Sequence, residues 1–478
     1  MNVHIHKNKK LNMLEALIPV FFLMIFLSYN IFFANGALMG SYTNQIILIA
    51  SGIVASFIGL LKKVSISVMI HEIWHNLKSV FIPIIILLLV GALAGSWLIS
   101  GIIPAMVYYG LQVLNPTIFL PATLLICSII SIATGSSWTT SATVGIALIG
   151  IGTALAIPTG MIAGAVVSGA YFGDKLSPLS DTTNLAPAMA GTDLFTHIRY
   201  MTLTTVPTYI ITLLVFTILS LNIKTTGITD ISGILDSINN TFYISPILFI
   251  VPAIVIALIL FKTKPIIALG TGIILALLFA LFFQPQIIDS LSNVKIIALL
   301  NAVVSEISIE TANEKLNELF SSKGMLGMVW TILLIISAMF FGGIMDAIGA
   351  LEHITTSLLS YSKSIFGLFA STVISCLGLN IVASDQYLAL VIPGKMFKKA
   401  YHEKGLAPEN LSRTLEDTGT VTSALIPWNT CGAYQSGVLG VAVNEYFIYA
   451  IFNWLSPIMT IIFAAFNIKI KQLISVIK

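Results

Sequence analysis

Four polar islands interrupt an otherwise apolar chain, and they hold the side chains best suited to chemistry. The islands span residues 135–141, 173–184, 380–386 and 416–432. Carboxylate oxygens bind hard cations well. A carboxylate shielded from water also takes up a proton more readily, so that a proton and a cation compete for it. The islands therefore predict a site for a small cation and a proton, with candidate acids Asp174, Asp181, Asp385 and Asp417.

Neutral oxygens surround these acids and complete the predicted ligand set. Hydroxyl and amide oxygens suit a hard cation, and half-helix N-termini suit the carboxylate of an organic anion. Lys175 and Arg199 are the nearby cations, and we interpret Arg199 as an interfacial anchor. The candidate oxygen donors are Ser136, Thr139, Thr140, Ser177, Thr182, Asn184, Ser384, Thr420, Thr422, Asn429 and Thr430.

The composition requires a lipid bilayer around most of the chain. Of its 478 residues 57% are hydrophobic and only 9% are charged, with a mean hydropathy of +0.98. A soluble domain carries about 25% charged residues. A membrane-spanning helix needs about 20 apolar residues, so the length allows roughly ten to thirteen segments. We expect an all-α polytopic membrane protein, and the net charge of +3 gives no reason to expect a nucleic-acid partner.

The second and fourth islands are expected to lie inside the membrane, although ordinary surface loops are the alternative. The apolar stretch 159–172 has 14 residues and would span only about 21 Å, short of a hydrocarbon core about 30 Å thick. The crossing must therefore continue through the second island, and the same argument applies to 418–427. A helix broken in lipid is tolerated only where protein or a water-filled cavity satisfies the freed backbone groups.

The polar islands of the first half of the chain resemble those of the second half. Asp174 and Asp417 are separated by 243 positions, and at the same offset Ser177 matches Thr420. This favours two inverted repeats, each with a re-entrant hairpin and a discontinuous helix, although chance similarity of Ser/Thr-rich breaks is an alternative. The predicted division is 1–222 (hairpin 116–157, broken helix 159–190), connecting spans 223–283, an acidic extramembrane segment 284–323, and 324–478 (hairpin 364–397, broken helix 408–442).

The basic residues predict the orientation of the chain. Lys and Arg cluster at 7–10, 62–78, 262–264, 395–413 and 469–478, and such clusters mark cytoplasmic loops. With one hairpin in each half, this assignment alternates without contradiction. It predicts a multi-pass protein of the cell membrane with both termini in the cytoplasm.

At the islands the sequence resembles the NhaC family of sodium/proton antiporters. The most specific string is Gly-Asp-Lys-Leu-Ser-Pro-Leu-Ser-Asp-Thr-Thr-Asn at 173–184, and the likeness runs from about residue 10 to 466. We expect no cofactor, and we expect Na⁺ at Asp174, Asp181 and Asp417 because shielded carboxylates can bind either a proton or a cation. The resemblance implies an ion-transporter fold, Na⁺/H⁺ exchange and often a homodimer. Some members instead exchange malate and protons for sodium and lactate. The other similar stretches are Ser136-Ser-Trp-Thr-Thr-Ser141, Ser384-Asp-Gln-Tyr387, Leu415-Glu-Asp-Thr-Gly419 and Pro427-Trp-Asn-Thr-Cys-Gly432.

Two other classes of function are weighed against a transporter. His71-Glu72-Ile-Trp-His75 matches the HExxH pattern of zinc proteases, in which two histidines one turn apart bind zinc. A third zinc ligand is not evident, and the basic flanks favour an amphipathic helix at the membrane surface, so we expect no enzymatic activity. A passive channel also accommodates polar hairpins, but titratable carboxylates on broken helices favour exchange.

Overall fold

The structure, a computed structural model, describes residues 11–33, 42–113, 115–223, 231–261, 263–311, 317, 319–360 and 362–473. These residues are overwhelmingly α-helical, as the composition predicts. The helices are α1 Met13–Phe33, α2 Thr43–Leu61, α3 Ile66–Ser79, α4 Phe81–Ile99, α5 Ile102–Val113, α6 Pro116–Thr134, α7 Ser137–Thr140, α8 Ile146–Ala154, α9 Thr159–Leu176, α10 Asp181–Ala190, α11 Leu194–Asn222, α12 Ile231–Thr241, α13 Ile250–Leu260, α14 Pro265–Phe283, α15 Pro285–Leu291, α16 Lys295–Val304, α17 Val329–Ala347, α18 Ala350–Leu359, α19 Ile365–Val382, α20 Gln386–Glu403, α21 Pro408–Leu415, α22 Thr430–Leu439, α23 Val443–Tyr446 and α24 Ile451–Ala465.

Shorter elements complete the described chain. Two π-helical turns cover Ser141–Gly145 and Glu416–Thr420, each within a polar island or directly beside one. Such turns often mark functional positions in helices. One antiparallel pair of two-residue strands joins Ile307–Ser308 to Ser321–Ser322. The 3₁₀ turns are Pro246–Phe249, Met325–Met328 and Ser423–Leu425.

Eight helices in the described ranges are long and apolar enough to cross a membrane, and the number rises to ten if each of two bent pairs is one span. This confirms a polytopic all-α membrane protein. The upper number equals the lower end of the predicted ten to thirteen segments. The difference arises because apolar stretches such as 140–157 and 418–427 form helices and turns that are too short to count as full spans.

Each polar island ends one helix and begins another. Gly135 ends α6 with a left-handed φ of 69°, and the hydroxyl of Ser136 accepts the Thr139 N–H to begin the next helix. Ser180 caps α10 and Asp385 caps α20 by accepting backbone N–H groups in the same way. In the fourth island Asn429 caps α22. Short polar side chains at helix starts satisfy N–H groups that have no partner within the helix, which explains why the chain breaks at these points.

Helices α6 and α9 pack unusually closely because glycines line their contact. A Cβ at Gly169 would lie 2.5 Å from the Leu124 carbonyl oxygen, and one at Gly173 would lie 2.5 Å from the Ser128 oxygen. Small residues at helix contacts allow backbones to approach closely inside membranes. The close approach holds the C-terminal end of α9, which includes Asp174, against the residues of the first island that follow α6.

Several predictions fall partly outside the described residues. In the predicted acidic segment 284–323, Glu314, Lys315 and Glu318 lie outside them, while the flanking chain forms α15, α16 and the strand pair. The basic residues at 7–10, Lys262 and Lys478, on which the orientation partly rests, also lie outside them.

Candidate functional site

A cavity of about 700 Å³ brings together residues from all four islands. Helices broken at different points of the sequence thus contribute to one space, and cavities of this size are typical of small-ligand sites. The remaining wall is closed by helices α3, α4, α13 and α14 and by the short segments before α4 and α14. Among the described residues of the lining, Lys264 is the only cation. The lining residues from the islands and their flanks are Thr134, Gly135, Ser136, Trp138, Thr139, Asp174, Leu179, Ser180, Asp181, Thr182, Asp385, Gln386, Tyr387 and Thr430.

Asp174, in the second island, is hydrogen-bonded to Ser137 in the first island. Its Oδ2 accepts two hydrogen bonds from Ser137, from the backbone N–H at 3.0 Å and from the hydroxyl at 2.6 Å. The side chain is only 8% exposed yet lines the cavity. Two hydrogen bonds from Ser137 stabilise the ionised carboxylate, and the Ser180 side chain also stabilises it by a hydrogen bond.

Two further carboxylates line the same cavity. Asp181 begins α10 and is exposed, so it lies where the cavity is accessible. Asp385 is 7% exposed and accepts the N–H of Leu388 at 3.0 Å as the cap of α20. Three carboxylates against one lining lysine give the cavity a negative potential, which raises the local concentration of cations.

Asp417 does not line the cavity. It forms a fully buried ion pair with Lys175, and its Oδ2 accepts hydrogen bonds from the hydroxyls of Thr204 at 2.8 Å and Thr460 at 2.5 Å. The Lys175 ammonium also donates to the Ser456 hydroxyl at 3.2 Å. Every strong partner of Asp417 is therefore supplied by the protein itself, from α9, α11 and α24.

Glu416, the neighbour of Asp417, faces a different environment. Successive side chains on a helix point roughly 100° apart, and Glu416 turns toward α10, where the Thr182 hydroxyl donates to its Oε1 at 3.0 Å. It is fully buried, its Oε2 has no hydrogen-bond partner at normal distance among the described residues, and the charges of Asp174 and Lys175 act on it. Through Thr182 this carboxylate is connected to the cavity lining.

The predicted oxygen donors divide into two groups. Ser136, Thr139, Thr182 and Thr430 line the cavity. Most of the others donate hydrogen bonds to backbone carbonyls of the islands and their flanks: for example, the Ser177 hydroxyl donates to the Ile132 carbonyl at 2.7 Å. The hydroxyls of Ser384 and Thr420 have no hydrogen-bond partner at normal distance among the described residues. The predicted donors outside the cavity lining are Thr140, Ser177, Asn184, Ser384, Thr420, Thr422 and Asn429.

An amide network fixes the third island against the fourth. The Asn380 side chain donates to the Gly419 carbonyl at 2.8 Å and to the Thr422 hydroxyl at 3.0 Å. Asn429 returns a hydrogen bond to the Asn380 carbonyl at 3.0 Å, and the Thr430 N–H donates to the Ser384 carbonyl at 2.9 Å. By contrast, Asn184 is exposed and bonds the Pro178 and Ser180 carbonyls of its own island.

Ser137 and Glu416 were not among the predicted site residues, although both lie within the islands. The signal for Glu416 was present, because two adjacent acids in an apolar setting must face different surroundings. Thr204 and Thr460 gave no signal, since single hydroxyls in long spans commonly bond their own helix.

The HExxH sequence lies on α3, away from the cavity carboxylates. His71 and His75 are exposed on this helix, while Met69 and Asn76 are buried. Within the described ranges, no three His, Cys, Asp or Glu side chains are grouped to hold a metal ion.

Comparison with known proteins gives a consistent family. The profile of the Na⁺/H⁺ antiporter family matches residues 169–468. The Na⁺/H⁺ antiporter NhaC of Alkalihalophilus pseudofirmus is 39% identical over 407 residues, 84% of this chain and 87% of that protein. The malate-2H⁺/Na⁺-lactate antiporter of Bacillus subtilis is 35% identical over 91% of this chain and 90% of that protein. The arginine/ornithine antiporter ArcD of Halobacterium salinarum is 34% identical over 82% and 79%, respectively.

Proposed function

Because the chain belongs to the Na⁺/H⁺ antiporter family, we propose that it exchanges Na⁺ for H⁺ by alternating access, with the 700 Å³ cavity as its ion site. The observation that carries this proposal is the convergence of all four polar islands on one negatively charged cavity. A soluble or purely structural protein would have no reason to keep Asp174 and Asp385 buried beside a third carboxylate, since buried acids are costly.

Asp174 is the proposed exchange group. When it is ionised, its carboxylate and the hydroxyls of Thr139 and Thr182 line the cavity and offer the oxygen ligands that Na⁺ prefers. When it is protonated, the negative charge that holds the cation is gone. One carboxylate therefore binds either a proton or Na⁺, and an alternating site with this property couples the two gradients. Asp181 and Asp385 attract cations into the cavity, and Glu416 supplies a second carboxylate behind Thr182.

We assign a different role to Asp417. Its ion pair with Lys175 and its two hydroxyl donors already satisfy it, so Na⁺ would have to displace a lysine to bind there. We propose that the pair holds α9 against the π-helical turn of the fourth island. This fixes Asp174 and Glu416, the neighbours of the two paired residues, in relation to each other.

The proposed cycle uses the two-repeat arrangement, in which hairpins 116–157 and 364–397 and broken helices 159–190 and 408–442 rearrange around the cavity. Lys264 lines the cavity, and since basic loops mark the cytoplasmic side, we propose that this conformation opens to the cytoplasm. The protein is proposed to lie in the cell membrane as a homodimer with both termini cytoplasmic.

The size of the cavity favours one second candidate. Water occupies about 30 Å³ per molecule in the liquid, so the cavity exceeds what one hydrated Na⁺ requires. An organic carboxylate could bind beside Lys264, provided that bound Na⁺ offsets the lining carboxylates. Exchange of malate and protons for Na⁺ and lactate, the activity named for the Bacillus subtilis relative, is therefore the alternative.

Reconstitution in liposomes distinguishes these candidates. With an imposed pH gradient, Na⁺ alone should drive proton movement, whereas K⁺ should not. Malate and lactate are then added separately on opposite sides. A requirement for an organic anion supports the alternative, and conductance without any exchanged ion would contradict both candidates in favour of a channel.

A further inference from the structure

A second cavity, of about 450 Å³, lies apart from the ion site and has a basic wall. Lys395, Lys398 and Lys399 line it from one helix, α20, and His402 follows one turn later. Because residues three and four apart lie on one face of a helix, the three lysines form one positively charged strip along the cavity, with His402 at its end.

The cavity lies near one face of the membrane. The Lys404 ammonium donates to the Lys363 carbonyl, which joins the end of α20 to the chain just before α19. Helix α19 has 18 residues and qualifies as a membrane span, so its beginning marks a membrane boundary. Lys398 and Lys399 precede Lys404 by six and five residues, so they lie within about two helical turns of this boundary.

The remaining walls are apolar, and the nearby acids are already engaged. Leu406 and Leu411 line the cavity, and carboxylates are lacking among its described lining residues. Glu409 is 5% exposed and pairs with Lys471, while the exposed Glu403 lies 3.6 Å from Lys399. Lys395 and Lys398 therefore keep charges that the protein itself does not neutralise through a described ion pair.

We propose that this cavity binds the headgroup of an anionic phospholipid, with phosphate between the lysines and the acyl chains along the apolar wall. A basic pocket beside membrane helices, close to a membrane boundary, is the setting in which proteins hold such lipids. The apolar wall favours a lipid over free phosphate, because a small hydrated anion gains nothing from leucine side chains.

The test is lipid binding to the purified full-length protein, followed by native mass spectrometry during titration with phosphatidylglycerol. The variant Lys395→Gln/Lys398→Gln should bind about thirtyfold more weakly, since each lysine near a membrane surface contributes about 1 kcal/mol. The control, Lys63→Gln/Lys78→Gln, removes two exposed lysines outside this cavity and should bind as the unmodified protein does. Phosphatidylcholine should not compete.

Two outcomes would overturn the proposal. One is equal phosphatidylglycerol affinity in the cavity variant and the control variant. The other is displacement of the lipid by inorganic phosphate in millimolar excess, which would make this a site for free anions. Size-exclusion chromatography reports folding, and if the double variant is not monodisperse, Lys395→Gln alone should weaken binding about fivefold.

Discussion

Replacing Asp417 or Lys175 alone leaves a single charge buried without its partner. Both side chains are fully buried, and each belongs to a different half of the chain. Removing one member of a buried pair costs about 3–5 kcal/mol of stability, because the remaining charge is uncompensated. We expect this loss for Asp417→Asn and for Lys175→Met.

The double variant Lys175→Met/Asp417→Asn should be more stable than the sum of the two changes indicates. If the effects were additive, it would lose about 6–10 kcal/mol. Instead no charge remains unpaired, and the asparagine oxygen can still accept hydrogen bonds from Thr204 and Thr460, which now bond Asp417. We expect the double variant to have an unfolding free energy at least as large as that of the less stable single variant.

The assay is a double-mutant cycle of unfolding free energies in mixed micelles, with Na⁺-dependent proton flux measured on the same proteins in liposomes. Under our assignment, the folded double variant keeps measurable exchange. If it folds as well as the unmodified protein yet carries no Na⁺-dependent flux, Asp417 or Lys175 takes part in the ion chemistry and the reasoning is refuted.

Three further predictions concern the elements that hold the site. Ser137→Ala removes one hydrogen bond to the ionised Asp174, worth about 1.5–3 kcal/mol. It should shift the pH midpoint of Na⁺ transport upward by about one to two units; an unchanged midpoint would show that this bond does not act on the exchange group. Gly173→Val should separate α6 from α9 and reduce Na⁺-dependent proton flux. The control is Gly270→Val, since a Cβ at Gly270 would meet nothing within 4 Å, and its flux should be normal. Equal flux in the two variants would show that close packing of α6 on α9 is not required. Asp193 caps α11, and hydrogen bonds from Thr196 lower its pKa. The ionised cap therefore contributes to the stability of the fold above the usual aspartate pKa range, and this contribution is lost as pH falls through the lowered pKa. Melting temperatures of Asp193→Ala and the unmodified protein should differ at neutral pH and converge in acid.

The fold class was predictable because the bilayer constrains it strongly. A chain with 9% charged residues must place its backbone in helices, and the positions of Gly135, Ser180 and Asp385 in polar islands correctly indicated where helices break. The 14-residue stretch 159–172 was too short to span a membrane, and the structure accordingly extends its helix to Leu176 and ends it within the island.

The individual partners were not predictable, because they depend on side-chain direction across distant helices. Asp174 and Asp417 look equivalent at an offset of 243, yet one faces the cavity and the other faces Lys175. The helix starts differ as well, since Asn429 caps the helix in the fourth island whereas Ser180, not an asparagine, caps the helix in the second. Sequence alone identifies the islands, but only packing decides which of their oxygens face the same space.

The most direct test of the exchange site is proton flux driven by Na⁺ in liposomes containing Asp174→Asn, with Asp289→Asn as the control. Asp289 is an exposed acid outside the cavity lining, so its variant should transport normally. The account predicts that Asp174→Asn, recovered folded and inserted at equal amounts, shows no Na⁺-dependent proton flux above empty liposomes. Flux equal to that of the control, with the same dependence on Na⁺ and pH, would contradict the assignment of the exchange group.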